Sequence, residues 1–422
     1  MKVALITFEF YPNIGGISRH LNSFCQAFRE TDHKLFVFNR SYEGKYIFNI
    51  IDTSDYKLKD LIGFFKNKQL TKYLLLSMWK IIIDTKISLA HRLNILLYFL
   101  LKPKLLIRTI KTISRIYPYF NNFNFDIIIG GGSGANTLFI IFTLSRLFNK
   151  KVLAWAHGNE FLIRSFWSLK TFFLRNLDKV ILSNKYMTKI IKKIHYLSDN
   201  QIEIINYGLT LRDYEVNTIK EQLRKEFNIF KETFLLLSVG RHVSRKKFDL
   251  VIKAVKEVKN LDSSIDIKYY LIGHGPETLN LKKLAKNLDL NEDIIFLGMC
   301  DKTTRNKFYK LSDVFLMPSI KESESIEGFG IVFLEANYYK VPVIGASSGG
   351  VREAIEDGKT GFLVKPDDLN DLVEKIMFLY KNKEKRIEMG EYAHKRVIEN
   401  YNWDILIQDY LELFEKLHQK KE

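Results

Sequence analysis

The sequence predicts an α/β protein with two parallel sheets. Short apolar runs alternate with segments of helical periodicity along the chain, a pattern typical of parallel sheets covered by helices. The 422 residues exceed one ordinary hydrophobic core, so two domains of about 200 residues each are expected. Hydrophobic residues make up 46% of the chain and charged residues 27%, a composition that argues against a disordered protein.

Six apolar runs in each half are predicted to be strands, most of them followed by a loop and a helix. In the first half they are KVALITF (2–8), KLFVFN (34–39), FDIIIGG (125–131), KVLAWAH (151–157), KVILSN (179–184) and IEIINYG (202–208). In the second half they are FLLLSVG (234–240), KYYLIGHG (268–275), IIFLG (294–298), DVFLMPS (313–319), VPVIGA (341–346) and TGFLV (360–364). We therefore expect two Rossmann-like domains that face each other across a cleft and bind ligand at the carboxyl ends of their strands.

The domain boundaries follow from the spacing of these strands. The first domain is predicted to cover residues 1–212 and the second residues 213–400, with the polar stretch 209–232 as the linker region. The last segment, residues 401–422, is predicted to form an amphipathic helix that packs back on the first domain.

The positive charge is confined to the first half. Residues 1–212 hold 31 Lys and Arg against 13 Asp and Glu, whereas residues 213–422 hold 34 against 35. Residues 57–115 hold 13 basic and 2 acidic residues among aliphatic and aromatic clusters, which predicts basic amphipathic helices that contact an anionic membrane surface. The alternative is that these helices only pack on the first domain. No zinc-finger spacing or aromatic RNA-binding signature is present, so no nucleic-acid partner is expected.

The predicted location is the cytoplasm, peripheral to the inner face of a membrane. The two cysteines, Cys25 and Cys300, support no disulfide framework, and the first residues do not resemble an export signal. The uncharged run 127–145 approaches the length of a membrane span. It contains four glycines, however, so a strand, a loop and a core helix are expected there.

A glycine pair follows the first predicted strand. Gly15 and Gly16 permit close approach of backbone to a ligand, and the helix predicted to begin near Ile17 offers unpaired N–H groups to an anion such as a phosphate. A tight strand-to-helix turn without a ligand would favour the same residues.

Basic residues follow the first strand of the second half. Arg241 and Lys246 are candidates to neutralise a diphosphate at the mouth of that strand. Arg245 and Lys247 belong to the same run, and solvated surface charge is the alternative for each of these four side chains.

Two glutamates flank a predicted helix start in EGFGIVFLEA (327–336). Gly328 and Gly330 allow the backbone to curve around a ligand, and Ile331 begins a helix whose first turn offers free N–H groups. Glu335 in the second turn is placed to bind a vicinal diol such as a ribose, and Glu327 is placed to meet sugar hydroxyls. The alternative is two solvent-exposed glutamates. The apolar residues before Glu335 indicate a buried helix instead, in which an unpartnered carboxylate would be costly.

These motifs together resemble the retaining glycosyltransferases of family 4, which have the GT-B fold. The stretches that carry the resemblance are GRHVSRKKFDL, IGHGPE, IFLG, DVFLMPS, EGFGIVFLEA and VPVIGASSGGVREAIEDGKTGFLV, with GG (15–16) and HGNE (157–160) in the first half. The pair of glutamates separated by seven residues is the mark of this family, and IEGFGIVFLEA is nearest to its lipid-directed mannosyltransferases.

The resemblance implies a role for each matching residue. Gly16, Arg241 and Lys246 would hold the donor diphosphate and Glu335 the ribose, while Glu327 with the backbone of Phe329 and Gly330 would hold the transferred sugar. His157 matches the active-site histidine of the family. The sequence departs from the family pattern at Lys247, where glycine is common, and at His274, where an acid is common.

The expected function is transfer of a sugar from a nucleotide-diphosphate donor to a lipid-linked or glycan acceptor, in bacterial cell-envelope polysaccharide (lipopolysaccharide or capsule) or glycolipid synthesis. The chain has no Asp-x-Asp motif, so neither a metal nor a cofactor is expected, and basic residues would stabilise the leaving diphosphate instead. The alternatives are a nucleotide-sugar epimerase with the same fold and a catalytically silent scaffold subunit of a membrane glycan complex. A Rossmann oxidoreductase is disfavoured because GGGSGA (130–135) lacks the dinucleotide-binding spacing.

Overall fold

The structure, a computed structural model, describes residues 1–8, 16–39, 49–52, 103–158, 162, 167–323 and 325–419. The chain divides into two compact units. The first comprises Met1–Asn206 with Leu406–Glu422, and the second comprises Tyr207–Ile405. The sequence predicts residues 213 and 400 as the limits of the second domain. The second unit begins earlier, at Tyr207, and ends later, at Ile405.

The first unit contains a seven-stranded parallel sheet in the described part of the chain, with the order β3-β2-β1-β4-β5-β6-β7. Its strands are β1 (Lys2–Thr7), β2 (Lys34–Asn39), β3 (Asn49–Asp52), β4 (Ile127–Gly130), β5 (Lys151–Ala156), β6 (Lys179–Leu182) and β7 (Ile202–Ile204). Its helices include α1 (Gly16–Arg29), α2 (Pro103–Asn122), α3 (Ala135–Phe148), α4 (Trp167–Arg175) and α5 (Lys185–His195). Six of these strands coincide with predicted runs, and β3 at the edge of the sheet is an addition.

The C-terminal helix, α14 (Trp403–Gln419), contributes most of its length to the first unit. Trp155 on β5 donates its indole N–H to the hydroxyl of Tyr410 at 3.0 Å, and the ring of Phe24 on α1 lies 5.2 Å from that of Tyr410. Both Trp155 and Tyr410 are fully buried. The predicted terminal helix therefore completes the core of the first unit.

The second unit contains a six-stranded parallel sheet with the order β10-β9-β8-β11-β12-β13 in the described residues. Its strands are β8 (Phe234–Val239), β9 (Ile267–Ile272), β10 (Ile294–Gly298), β11 (Val314–Met317), β12 (Val343–Ala346) and β13 (Gly361–Val364). Its helices are α6 (Lys220–Glu226), α7 (Phe248–Leu261), α8 (Thr278–Asn287), α9 (Lys302–Leu311), α10 (Ile331–Tyr338), α11 (Val351–Ala354), α12 (Leu369–Lys381) and α13 (Lys383–Asn400). Every strand of this sheet coincides with a predicted run.

The predicted linker region is structured and belongs to the second unit. Residues Leu211–Tyr214 form a 3₁₀ turn and α6 follows it. Lys220 and Arg224 on α6 form ion pairs with Asp313 at 2.9 and 3.1 Å. Polar residues of the stretch 209–232 thus form ion pairs at the start of β11, and the stretch packs as part of the second unit.

Most of the predicted basic segment, residues 57–102, lies outside the described residues, and its last part forms the beginning of α2. Within the part of the chain that the structure describes, no helix combines the length and the apolar character needed to cross a bilayer.

A close contact between α13 and the end of α10 generates a first prediction. A Cβ atom at Gly390 would lie 2.1 Å from the carbonyl oxygen of Lys340. Gly390→Ala improves helix propensity, but we expect it to lower the free energy of unfolding of the second unit by about 1–3 kcal/mol because backbone must move. Calorimetric melting measures this. Lys395→Ala, at an exposed position of the same helix, is the control and should change stability by less than about 0.5 kcal/mol. A stabilised Gly390→Ala variant would contradict the contact.

Candidate functional site

The candidate site lies at the carboxyl edge of the six-stranded sheet. The strands β8, β11 and β12 are neighbours in this sheet and run parallel, so the loops that follow them meet at one edge. These loops are residues 240–247, 318–330 and 347–350. Ligands of open α/β sheets bind at this edge.

An ion cluster joins the first two of these loops. Oε2 of Glu327 accepts hydrogen bonds from Nη1 of Arg245 at 2.8 Å and from Nζ of Lys246 at 2.5 Å. The three side chains are 15%, 17% and 9% exposed, respectively. Burial by itself raises the pKa of Glu327, but the charges of Lys246 and Arg245 and their hydrogen bonds outweigh it and lower this pKa to about 2. Glu327 is therefore an anion at neutral pH.

The loop that carries the two cations is held in shape by its backbone. Residues Ser244–Lys246 form a 3₁₀ turn, and Lys247 ends it with a φ of 55°. This left-handed conformation favours glycine, which gives a physical reason for the glycine that is common in the family at this position. In this chain the Nζ of Lys247 forms an ion pair with Oδ1 of Asp367 at 2.7 Å. The carbonyl of Arg245 also accepts the N–H of Ile320 at 2.8 Å, which ties this loop to the one after β11.

Glycines shape the backbone around Glu327. Gly330 has a φ of 87° and caps the start of α10, where a Cβ atom would lie 2.7 Å from the ring of Phe333. Gly350 donates its N–H to the carbonyl of Glu327 at 3.0 Å. Gly349 has a φ of 63°, and a Cβ atom there would lie 2.7 Å from the same carbonyl oxygen. Side chains larger than hydrogen are thus excluded where the third loop approaches Glu327.

The residues between the two glutamates present backbone to the site. Gly328 precedes Phe329, whose side chain is buried against the rings of Tyr207 and Tyr401, each centred 5.9 Å away. The helix α10 begins at Ile331 with no acidic residue in its first turn. The first N–H groups of a helix have no partner within it, so the first turn of α10 is suited to an anion.

Glu335 is fully buried inside the second unit. Its Oε1 accepts the hydroxyl of Tyr214 at 2.8 Å and its Oε2 accepts that of Tyr309 at 2.7 Å. The predicted burial of this carboxylate is therefore observed, and two phenols provide the partners that burial requires. Because Glu335 is fully buried, a ribose diol reaches it only if neighbouring side chains move, and the ribose role remains a prediction.

Arg241 is exposed and differs from its neighbours in its contacts. Arg245, Lys246 and Lys247 each bind a carboxylate, whereas Arg241 forms no hydrogen bond or ion pair with any described residue. Arg241 and Lys246, which are predicted to act together on a diphosphate, thus have different surroundings in the structure. Lys246 holds Glu327, while the guanidinium of Arg241 is available to a ligand.

The loops after β8 and β9 are joined by backbone hydrogen bonds. The N–H of His242 binds the carbonyl of His274 at 3.2 Å, and the N–H of Glu277 binds the carbonyl of His242 at 3.0 Å. A Cβ atom at Gly275 would lie 2.3 Å from the carbonyl oxygen of His242, so glycine is required there. Burial, followed by the charges of His274 and Lys282, lowers the pKa of His242 to about 4. Its ring is therefore neutral at neutral pH.

The predicted residues of the first unit lie at the carboxyl edge of its own sheet. Gly15 lies outside the described residues, and Gly16 begins α1. His157 follows β5 directly and is buried, with its ring centred 5.1 Å from that of His20 on α1. Burial, and then the charge of His157, lowers the pKa of His20 well below its usual value. A pair of histidines therefore occupies the end of β5.

Four residues of these sites are missing from the sequence-based prediction, namely Tyr214, Tyr309, His242 and His20, and Arg245 is named there only as a member of the basic run. The sequence could have indicated His20, since it lies one helical turn after Gly16 and so faces the same side of α1 as the helix start. The sequence does not indicate that Arg245 and Lys246 bind Glu327, or that Tyr214 and Tyr309 bind Glu335, because these partners lie 82, 81, 121 and 26 positions away in sequence. Among the described residues, no group of three or more His, Cys, Asp or Glu side chains is arranged to hold a metal ion.

Comparison with known proteins places this site in a family. Residues 219–396 match the family model described as Glycosyl transferases group 1. The match covers most of the second unit, which is therefore similar to this family. The matched residues include the ion cluster, both glutamates and the cap of α10. The resemblance to family 4 glycosyltransferases and the GT-B fold predicted from the sequence are therefore confirmed.

Three similar proteins illustrate the match. The chain is 32% identical over 189 residues to N-acetyl-alpha-D-glucosaminyl L-malate synthase of Bacillus anthracis, which covers 45% of this chain and 47% of that protein. It is 28% identical over 190 residues to the GDP-mannose-dependent alpha-(1-6)-phosphatidylinositol monomannoside mannosyltransferase of Mycobacterium tuberculosis, which covers 44% and 48%. The matches thus span about half of each relative's length. Anabaena Alr3699/HepE in complex with UDP-glucose has the same fold, with a TM-score of 0.73 at 14% identity over 99% of this chain and 100% of that chain.

The depressed pKa of Glu327 generates a second prediction. Because this pKa is lower in the folded chain, ionised Glu327 adds stability at pH values above its ordinary pKa of 4.5, and this contribution is lost as the pH falls toward about 2. Glu327→Gln should therefore melt well below wild type at pH 7, by a smaller margin at pH 3, and close to wild type at pH 2. Glu399→Gln, at an exposed position, is the control and should match wild type at each of these pH values. An equal gap in melting temperature at pH 7 and pH 2 for Glu327→Gln would contradict the ion cluster.

Proposed function

We propose that this protein transfers a sugar, with retention of configuration and without a metal or cofactor, from a nucleotide-diphosphate donor to a lipid-linked or glycan acceptor. The observation that carries the proposal is the ion cluster at the carboxyl edge of the second sheet. Glu327 has two buried cationic partners there, and a further cation, Arg241, follows the same strand without a partner in the described chain. The site thus combines a fixed carboxylate for a sugar with positive charge for a diphosphate.

The diphosphate is assigned to Arg241, Lys246 and the first turn of α10, and the sequence-based assignment of Gly15 and Gly16 to the diphosphate stays a prediction. Cleavage of the bond between the sugar and the diphosphate places negative charge on the leaving oxygen. Preorganised cations and amides stabilise that charge without reorganising during the reaction. Arg241 contributes most in this proposal, because its guanidinium is not committed to a protein carboxylate.

The transferred sugar is assigned to Glu327 and to the backbone at Gly328, Phe329 and Gly330. The carboxylate accepts hydrogen bonds from sugar hydroxyls while its other contacts hold it in place. Retention is proposed to occur by attack on the face that the diphosphate leaves, with the departing phosphate accepting the proton of the acceptor hydroxyl. His157 is assigned to the donor sugar, and Glu335 to the ribose after a rearrangement that exposes its carboxylate.

The acceptor is proposed to be a lipid-linked or glycan molecule of the bacterial cell envelope, such as a lipopolysaccharide or capsule precursor. The net positive charge of residues 1–212 supports an anionic acceptor or membrane surface. The mycobacterial relative is, by its name, directed to a phosphatidylinositol mannoside, which supports a lipid acceptor. We accordingly propose that the protein works at the cytoplasmic face of the inner membrane as a peripheral enzyme.

Turnover of nucleotide sugars tests this proposal and finds the donor. A panel of UDP-, GDP- and ADP-sugars is incubated with wild type, Arg241→Ala and Arg175→Ala, and release of nucleotide diphosphate is measured. We expect turnover of at least one donor, a loss of about 100- to 1000-fold in Arg241→Ala, and no change in Arg175→Ala, which alters an exposed arginine of α4.

The outcomes separate the alternatives. Interconversion of two nucleotide sugars without release of nucleotide diphosphate would indicate an epimerase. Binding of the chain to membranes with no turnover of any donor would indicate a scaffold subunit. Wild-type rates in Arg241→Ala would remove this guanidinium from the site.

A further inference from the structure

A cavity of about 730 Å³ opens on the second unit, at the edge of the sheet opposite to the candidate site. Phe234 at the start of β8, Asp313 before β11 and Pro342 before β12 line it. The carboxyl ends of these same three strands carry the loops of the candidate site, so the cavity lies at the other end of the strands. Its volume falls within the range of small-molecule binding sites.

The lining of this cavity concentrates positive charge. Seven of its 16 residues are Lys or Arg, and three are Asp or Glu. Residues 213–422 as a whole contain 34 basic and 35 acidic residues, so the excess is local to the cavity. Lysines distributed at random over the surface would give the cavity the same ratio of basic to acidic residues as the whole segment. A local excess of cations in a concave site attracts anions, since low-dielectric walls focus the field.

At the base of the cavity, three cations surround one carboxylate. Asp313 binds Lys220 at 2.9 Å and Arg224 at 3.1 Å. Arg386 is the third cation, and its guanidinium lies 5.1 Å from the centre of the Phe234 ring. Burial is the largest cause that lowers the pKa of both Lys220 and Arg386, and the charge of Arg224 lowers each of them further. Backbone carbonyls accept further hydrogen bonds from Lys220, Arg224 and Arg386, but Asp313 provides one negative charge against three positive ones, so the group keeps a net positive charge.

The rim of the cavity adds donors without partners. Lys381 and Lys383 are exposed, and neither forms an ion pair or hydrogen bond with any described residue. The helix α13 begins at Lys383, and its preceding residue, Asn382, provides no side-chain cap. The first amides of this 18-residue helix thus add a partial positive charge beside the two lysines.

We propose that this cavity binds a soluble phosphorylated small molecule, namely a phosphate or diphosphate ester. Lys381, Lys383 and the first turn of α13 hold the phosphate oxygens, and Arg386 and Lys220 balance the remaining charge. Phe234, Tyr380 and Ile387 provide the apolar part of the lining, suited to the organic part of the ligand. A concave site of this size favours a small molecule over a flat membrane surface. The proposal is independent of the sugar-transfer function.

Calorimetric titration of the full chain with inorganic pyrophosphate tests the proposal. The variants are Lys381→Ser/Lys383→Ser, Arg241→Ala and, as a charge-matched control, Lys283→Ser/Lys286→Ser on α8, which alters two exposed lysines outside the cavity. We expect the first variant to weaken one binding event by about ten-fold or more, since it removes two charged donors. This event should persist in Arg241→Ala and in the control.

Three results would overturn the proposal. The first is pyrophosphate binding that is unchanged in Lys381→Ser/Lys383→Ser. The second is an equal loss in the control, which would show a general charge effect. The third is binding to phosphatidylglycerol vesicles that requires Lys381 and Lys383 while pyrophosphate does not bind, which would assign these lysines to a membrane. Loss of all pyrophosphate binding in Arg241→Ala alone would place the only site at the carboxyl edge and would also overturn it.

Discussion

The ion cluster of Glu327 with Arg245 and Lys246 is the interaction on which the candidate site depends. It connects the loop after β8 to the loop after β11 across 81 and 82 positions of sequence. All three side chains are largely buried, so removal of Glu327 would leave two cations without a carboxylate partner. The cluster also decides the ionisation state of Glu327, because its cations overcome the effect of burial. The same two cations therefore fix the position of the Glu327 carboxylate and keep it ionised.

The two glutamates of the motif lie in different environments despite their short separation. Glu327 is held by cations, whereas Glu335 is held by the neutral hydroxyls of Tyr214 and Tyr309. Tyr214 belongs to the stretch that leads into the second unit, and Tyr309 lies on α9. Glu335 thus joins α10 to two other segments of the second unit. Any ligand role of this residue requires a rearrangement that exposes its buried carboxylate.

The sequence predicted the sheets well because parallel strands are continuous apolar runs. All strands of the second sheet were found in this way. Strand β3 was missed because both ends of Asn49–Asp52 are polar, which leaves only two consecutive apolar residues in the strand. The loops of the site followed from the strands, and the motif indicated Glu327 and Arg241. The partners were not predictable, because a periodic pattern does not specify which of four adjacent cations turns toward Glu327. That choice is made by the 3₁₀ turn and the positive φ of Lys247.

A crystal structure of the protein with a nucleotide-diphosphate sugar that it turns over tests the central claim most directly. The account predicts that the diphosphate binds the guanidinium of Arg241 and the first amides of α10, and that Glu327 accepts a hydrogen bond from the sugar while it keeps its contact with Arg245. A diphosphate bound away from Arg241 and α10, or a sugar without contact to Glu327, would contradict it.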